Sequence, residues 1–448
     1  MELKAAVTFF KYLAYGVSME IRDPVHGSIE LSKEETRVID NEFFQRLRSI
    51  KQLGFSEFSF PGATHNRYIH SIGVCHLSGI AFDSIFKSYK FSSQAKKKSF
   101  RDCLRLGALL HDVGHGPLSH AAEKVMPLVS ELEIDVYNNK ERAIKSDERA
   151  THEDYSIKII MDSSLSEELK LGFPHLDPVY VACLIDRTLP CPDDFFVDQG
   201  VDFRNILSQV VSSEMDVDRM DYLGRDSYFC GTNYGKVELT WLLQNITYYN
   251  VNDELFLALN RRALYTFDDF LLSRHHMHLM VYFHHKSIVY EEMLLNYLES
   301  PDCNFKFPAD INEYLAYTDY SLFVNLNQVK NTWAQRIAKK DPYRMLFEHH
   351  STHDNDRCEK MRDELQQNNV DAILSNSTAR LSKYHSASEV EKSMKIYVVD
   401  QYDPNAKPYA IEESTEIFQK YEEIRRIERL YVSPQDVEKA KKVLSLNV

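Results

Sequence analysis

The chain is 448 residues long, 44% hydrophobic, and carries a formal charge of −14; such a chain buries a large core, and its length allows two or three domains or one large helical one. The acidic balance argues against nucleic acid as the main ligand, although one cleft can still focus positive potential. No stretch reaches the roughly 18 uninterrupted apolar residues of a membrane span, and seven scattered cysteines without a C-x-x-C pair predict reduced thiols and a cytoplasmic location.

Only 14 Gly and 14 Pro interrupt the chain, and the periodicity between them is mostly helical, so a mainly α fold is expected. Residues 5–17 are apolar but broken by Lys11, and read as a short strand or helix in an N-terminal extension, 1–19. Over 33–53, Val38, Ile39, Phe43, Leu47, Ile50 and Leu53 keep a three-to-four spacing that predicts one or two packed helices. A further helix sets Leu104, Ala108 and Leu109 on one side and ends at His111-Asp112, where Gly114, Gly116 and Pro117 break it. Residues 137–150 are polar and charged and read as an exposed loop with some helical content. Residues 264–299, rich in Leu and aromatics and in histidine from His275 to His285, are expected to be helical and partly buried. Between about 348 and 392 the composition turns polar, after which Ile396–Val399 reads as a strand, so a smaller mixed α/β region is expected at the C-terminal end.

The run from Leu109 to His120 holds three histidines and a carboxylate around a helix end. Imidazole nitrogen with carboxylate oxygen suits Mn, Fe, Zn or Mg and calls for further donors elsewhere. His70, in the stretch Thr64–Ser71, supplies one upstream; the stretch Asp216–Tyr222 supplies carboxylates downstream. Single histidines such as His65, His76 and His175 read more simply as hydrogen-bonded core or surface residues. The Gly-His-Gly-Pro-x-Ser-His flank of His111-Asp112 does not.

The order His70, His111-Asp112, Asp218 resembles the H…HD…D signature of the HD superfamily. More narrowly, Asp23-Pro24-Val25-His26-Gly27, Phe44–Arg48 with Lys51–Gly54, Phe60–Arg67, and Asp218–Tyr222 with Arg225-Asp226 resemble the HD-domain deoxynucleoside triphosphate triphosphohydrolases, which include the vertebrate SAM-and-HD-domain enzyme and bacterial dGTPases. The resemblance covers roughly residues 20–300 and then fades. It implies an HD-domain helical core over 20–300, with a C-terminal helical and mixed region, 301–448, contributing to oligomerisation. It also implies a divalent metal (Mn, Mg, Fe or Zn) on His70, His111, Asp112 and Asp218. The reaction implied is water attack at the α-phosphorus of a dNTP, giving a deoxynucleoside and inorganic triphosphate.

By the same resemblance His120 is the general acid, His115 sits near the α-phosphate, and Glu123 or the His152-Glu153 pair orients the acid. Arg67, Arg219, Arg274 and Tyr222 match phosphate contacts, with Arg219 in place of the usual lysine. Gln52 and Asp226 match contacts to the 3′-hydroxyl, while Leu53 and Tyr282 match residues that pack on the sugar and exclude a 2′-hydroxyl. Plainer roles exist for some of these: a capping or surface role for His152 after Thr151, core packing for Leu53 and Tyr282. Phe283 stands where the vertebrate enzyme has glutamine, and an extra histidine follows, which leaves base preference open. Asp40, Gln45 and Arg48 match a guanine-reading activator site, with Arg344 as its basic partner. GTP or dGTP is the activator implied, and a homo-oligomer, dimer or tetramer, the assembly. Arg46 and Arg48 also fit ordinary surface ion pairing, and Glu348 replaces a lysine near the activator's phosphates, where an anion weakens polyphosphate binding.

Two other functions fit the scaffold. An HD phosphohydrolase acting on a nucleoside monophosphate, cyclic nucleotide or alarmone would not need Gln52, Tyr222, Asp226 and Tyr282. A non-catalytic nucleotide sensor would be expected to lose ligands that this chain retains.

Overall fold

Asp23 and Gly27 close a turn, helped by the left-handed φ of +77° at Gly27, and so join β1 (Val17–Asp23) to β2 (Gly27–Ser32) as an antiparallel hairpin. The computed structural model describes residues 17–138, 148–352, 356–379, 395–403, 405–414 and 425–446. Residues 1–16 of the N-terminal extension and the middle of the polar 137–150 stretch lie outside the described residues.

Ser32 caps α1 (Lys33–Asp40): its hydroxyl accepts the Glu35 amide while the Glu35 carboxylate accepts the Ser32 amide, which satisfies two of the helix's orphan donors. Asn41 ends α1 and caps α2 (Glu42–Gln45). The expected helical stretch therefore resolves into two short helices and a 3-10 turn, Arg46–Ser49.

The helical core follows with α3 (Arg67–Ile85), α4 (Gln94–Leu110), α5 (His152–Asp162), α6 (Ser164–Gly172), α7 (Pro178–Ile185), α8 (Arg204–Val211), α9 (Val217–Cys230) and α10 (Leu239–Asn245). α3 is buried along nearly its whole length, between α4 and α9; a helix apolar all round needs such a central position. Small residues permit the packing. A Cβ at Gly79 would lie 2.5 Å from an Arg105 nitrogen, and Arg105 is committed to a buried ion pair, donating from Nη2 to Glu35 at 3.0 Å.

A small sheet lies against these helices. Its central strand β6 (Glu254–Asn260) pairs antiparallel with β5 (Ile246–Val251) and parallel with β4 (Val201–Asp202) and β9 (Tyr397–Val399), with β3 (Val197–Asp198) and β10 (Tyr409–Ala410) at the edges. The expected strand near 396–399 is thus β9, and it returns to the core. The 264–299 segment is helical: α11 (Leu264–Met277), a π-turn over His278–Tyr282, and α12 (His285–Leu298). After α13 (Ile311–Tyr314), α14 (Asp319–Gln328) and α15 (Thr332–Ala338) comes a three-stranded sheet, β7 (Arg344–Ser351), β11 (Arg425–Val432) and β8 (Ala372–Ala379). This sheet packs with α16 (Arg357–Gln367) and α17 (Val437–Val443) around a second, smaller core of Leu365, Val370, Leu430, Val432 and Ala440. The polar stretch after 348 therefore holds β7, α16 and β8; its composition is that of elements with one wet face.

The fold is mainly α, with a smaller mixed C-terminal region. All seven cysteines are free, and among the described residues no helix is long and apolar enough to cross a membrane.

Candidate metal centre

Three helix segments bring the histidines and carboxylates together. Asn66 caps α3 by accepting the Ile69 amide, which sets Arg67 and His70 one turn apart on the first turn of the helix. α4 stops at Leu110 with His111 as its cap. Asp216 caps α9 and leaves Asp218 on its first turn.

His70 Nδ1 contacts Asp221 Oδ2 at 2.7 Å, and His111 Nδ1 contacts the Ala108 carbonyl at 2.8 Å. An acceptor at each Nδ1 holds the proton there in place, so Nε2 is the nitrogen each ring has to offer a cation. Both Nε2 atoms are buried without a hydrogen bond. They face Asp218 Oδ1 at 3.0 and 3.6 Å and the Asp112 carboxylate at 3.5 and 3.4 Å. The structure thus brings together His70, His111 and Asp218, whose candidate donor atoms all lie within 4.8 Å of one another, and sets the Asp112 carboxylate beside both imidazoles.

The donor set fits a divalent cation. Burial alone would lower the pKa of His70, but the neighbouring carboxylates Asp218 and Asp221 outweigh it and hold the value at about 10. The field at that point favours positive charge. Burial opposes ionisation of Asp112 too, yet Arg67 and the imidazoles of His111 and His115 keep its carboxyl well below the usual range.

Beside this point stands a second row. His115 Nε2 lies 3.2 Å from Asp112 Oδ1, its ring stacks on His152 at 3.7 Å and 12°, and His152 Nδ1 is paired with Glu123. Burial, Arg67 and His152 push the His115 pKa well below its ordinary value. Asp112, His115 and His152 also satisfy the spacing of a cation site, and the Arg67 guanidinium sits on Asp112 Oδ2, the oxygen that faces His70. His120 belongs to the 3-10 turn Ser119–Val125; its side chain lies outside the described residues.

The helical period of α9 sorts its polar residues. Asp218, Tyr222 and Asp226 recur every four positions on one face, whereas Asp221 and Arg225 are wholly buried on another. Asp226 accepts from Tyr282 Oη at 2.8 Å and contacts His65 Nε2 at 2.8 Å. The π-turn carries Tyr282, a feature frequent at functional sites. Gln52 keeps a buried Oε1 without a hydrogen bond, and Leu53 is half-buried beside it in sequence. Arg219 pairs with Asp216, and Arg274 pairs with Glu214 at 2.6 Å.

The residues expected at an activator site divide. Gln45 Oε1 accepts from Arg48 Nε at 2.8 Å, Arg48 lies 3.6 Å over the Tyr68 ring, and Asp40 is exposed nearby at the end of α1. Arg344 is exposed at the start of β7, and among the described residues no hydrogen bond or ion pair joins it to the other three. Glu348 pairs with Arg429 at 2.6 Å and with His350 at 2.9 Å.

Several supporting residues escaped the sequence reading. Arg46, which fits surface ion pairing by sequence, is buried: it donates to the His115 carbonyl at 2.8 Å and to the Tyr317 carbonyl, with its guanidinium over Tyr314. Asp319 accepts the Leu118 and Lys51 amides at 2.8 and 2.9 Å. It thereby steadies Leu118 and Ser119, which hold left-handed φ of 55° and 59°, a strain of about 1–3 kcal/mol each that clusters at functional sites. No local sequence signal links residue 46 or 319 to residues 115–119.

Residues 67–185 match the HD domain model and residues 238–380 the HD associated region; Asp218 falls between them. The chain is 30% identical over 313 residues to the SAMHD1 homolog of Dictyostelium discoideum, a deoxynucleoside triphosphate triphosphohydrolase, covering 68% of this chain and 53% of that protein. It is 26% identical over 357 residues to human deoxynucleoside triphosphate triphosphohydrolase SAMHD1, covering 73% and 54%. It spans a little over half the length of the first curated relatives it matches. In fold, it is similar to the crystal structure of a hypothetical protein from Aquifex aeolicus, with a TM-score of 0.72 at 24% identity over 95% of this chain and 99% of that one.

Proposed function

We propose that this chain, which belongs to the HD-domain family that includes the SAMHD1 triphosphohydrolases, hydrolyses deoxynucleoside triphosphates to a deoxynucleoside and inorganic triphosphate. The observation that carries the reading is the single face of α9 on which Asp218 belongs to the cation donors and Asp226 to the sugar-side pair with Tyr282. Eight residues separate them, about 12 Å along the helix, the length scale of a nucleotide.

In this reading His70, His111, Asp112 and Asp218 hold a divalent cation. When bound, such an ion draws charge from the phosphate and lowers the pKa of water. The chain's own groups do the rest. Arg67, Arg219 and Arg274 offset the polyphosphate charge, each held in advance by an internal carboxylate, and Tyr222 adds a phosphate contact. The departing 5′-alkoxide needs a proton, a contribution of about 10²–10⁴ in rate. His120 donates it; His152, paired with Glu123, and the ring of His115 line the approach. Gln52 offers its bare Oε1 to the 3′-hydroxyl together with Asp226, while Leu53 and Tyr282 pack on the sugar where a 2′-hydroxyl would have to fit.

Activation by GTP or dGTP at Asp40, Gln45 and Arg48 belongs to the same reading. Since Arg344 lies elsewhere in the chain, it would complete that site from a second copy in a dimer or tetramer.

Incubating the Mn²⁺-loaded protein with each dNTP, singly and in mixture, and separating products by ion-exchange chromatography tests the reading. Inorganic triphosphate and deoxynucleoside are expected. Orthophosphate or pyrophosphate as the product would overturn it.

A further inference from the structure

Asp221 stands directly behind the candidate metal centre. It is fully buried, and among the described residues it makes four polar contacts: His70 Nδ1 at 2.7 Å and Arg225 Nε at 2.8 Å on Oδ2, His26 Nε2 at 2.6 Å and Arg225 Nη2 at 2.8 Å on Oδ1. An ionised carboxylate has about four lone-pair sites, so nothing remains for a cation. Asp221 is therefore a buttress rather than a ligand, which separates it from Asp218, three residues away in the same motif.

The buttress is itself braced. Arg225 Nη1 donates to Asp23 Oδ2 at 2.7 Å, and Asp23 Oδ1 accepts the amides of Val25 and His26 at 2.9 and 2.8 Å. The turn between β1 and β2 is thus tied to α9, and its one imidazole is aimed at Asp221. Space for the arrangement comes from α3: a Cβ at Gly73 would stand 1.9 Å from Asp221 Oδ1. On its far side His26 lines a groove of about 1210 Å³ whose wall also includes His76, Tyr234 and His276; none of the four candidate ligands lines that groove.

We propose that Asp221 and His26 are positioning residues of the metal centre: Asp221 fixes the His70 proton on Nδ1 and aims Nε2 at the cation, and His26 holds Asp221 in the orientation that does so. A carboxylate behind a metal-ligating imidazole orients the ring and raises its basicity, and its loss costs about tenfold to a hundredfold in metal affinity. The inference rests on His70 being a ligand and on nothing about the substrate.

The test is metal affinity by chelator competition, with the absorption spectrum of the Co²⁺-substituted protein as a second readout. Asp221→Asn, which keeps the shape but removes the charge, should weaken binding about tenfold to a hundredfold and shift the Co²⁺ bands. His26→Phe keeps a ring without a donor and should weaken binding in the same direction, while His26→Gln, which restores an N–H, should recover most of the loss. Thermal melting accompanies each variant, and if Asp221→Asn fails to fold, the His26 pair decides alone. Wild-type affinity and unchanged Co²⁺ bands in folded His26→Phe overturn the proposal. His70→Ala serves as the control: if it leaves metal affinity untouched, the ligand assignment itself has failed; if it abolishes binding while the positioning variants bind normally, only this proposal has.

Discussion

Contacts of different kind place His152, among them the stack on His115 and the pair with Glu123. A ring held on one face and at one nitrogen is preorganised, so its removal should affect the chemistry more than binding of the ion. We expect His152→Ala to lower kcat by about 10²-fold or more with metal content, measured by mass spectrometry, near wild type; a variant that loses the metal would instead make His152 a ligand. Asp112→Ala is expected to differ in kind, abolishing metal binding and turnover together, which equilibrium dialysis and product assay would show in parallel. At this scale the sequence was informative. Imidazoles and carboxylates around a helix end announce ligand chemistry by their types, and the Nε2 atoms of His70 and His111 face the carboxylates of Asp112 and Asp218. The residue types alone offered several carboxylates between Asp216 and Asp221 and the family resemblance picked Asp218; the packing of α9 sets Asp218 beside the Nε2 atoms of His70 and His111 and Asp221 on His70 Nδ1.

The elements succeed through close approaches that a pattern of apolar residues does not encode. A Cβ at Gly114 would stand 2.2 Å from the His152 carbonyl and 2.3 Å from the Ser156 amide, so the turn after His111-Asp112 lies directly on the backbone of α5. Gly114→Ala should cost about 1–3 kcal/mol through overpacking, seen as a lower urea midpoint. It should also reduce kcat further than the stability loss explains, since α5 carries His152. The join between α1 and α4 offers a pH test. Burial tends to raise the pKa of Glu35, but the Arg105 ion pair and the hydrogen bonds to Arg105 and the Ser32 amide outweigh it, and the net shift is downward. A depressed carboxylate contributes stability that is complete above its unfolded value near 4.5 and fades as pH falls through the folded value. Glu35→Gln, which strands Arg105 in the core, is therefore expected to cost about 3–5 kcal/mol at pH 7. Denaturant titrations of both proteins should converge progressively below pH 4.5.

Across the whole molecule, the segment after residue 300 supports the centre from outside. Tyr314 Oη donates to the Gly114 carbonyl at 2.9 Å, Tyr155 stacks on Tyr314 at 4.2 Å, and Arg46 and Asp319 tie Tyr317 and α14 to the loop that carries His115 and Ser119. Phe305, Phe307, Ile311, Leu322 and Leu326 share one continuous core with the HD helices. A chain ended at residue 300 is expected to lose its cooperative melt by circular dichroism.

Local order was readable from residues alone: the mainly helical character, the helix stop at His111-Asp112, the histidine-rich helices of 264–299, and the strand near 397. Each depends on neighbours within a turn or two, through periodicity, caps and breakers. The polar elements β7, α16 and β8 were not readable, since β7 buries no residue fully and α16 buries only Cys358 and Leu365, too few to set a repeat. Nor were Arg46, Asp319 and His26, which act on residues 69, 201 and 195 positions away. Contacts at that separation arise only once the core has closed, when a buried charge must find its partner or forfeit its solvation. The sequence thus determined which side-chain types could bind a cation, and tertiary structure decided which of them lie together, with His70, His111 and Asp218 in one group and Asp221 on the far nitrogen of His70.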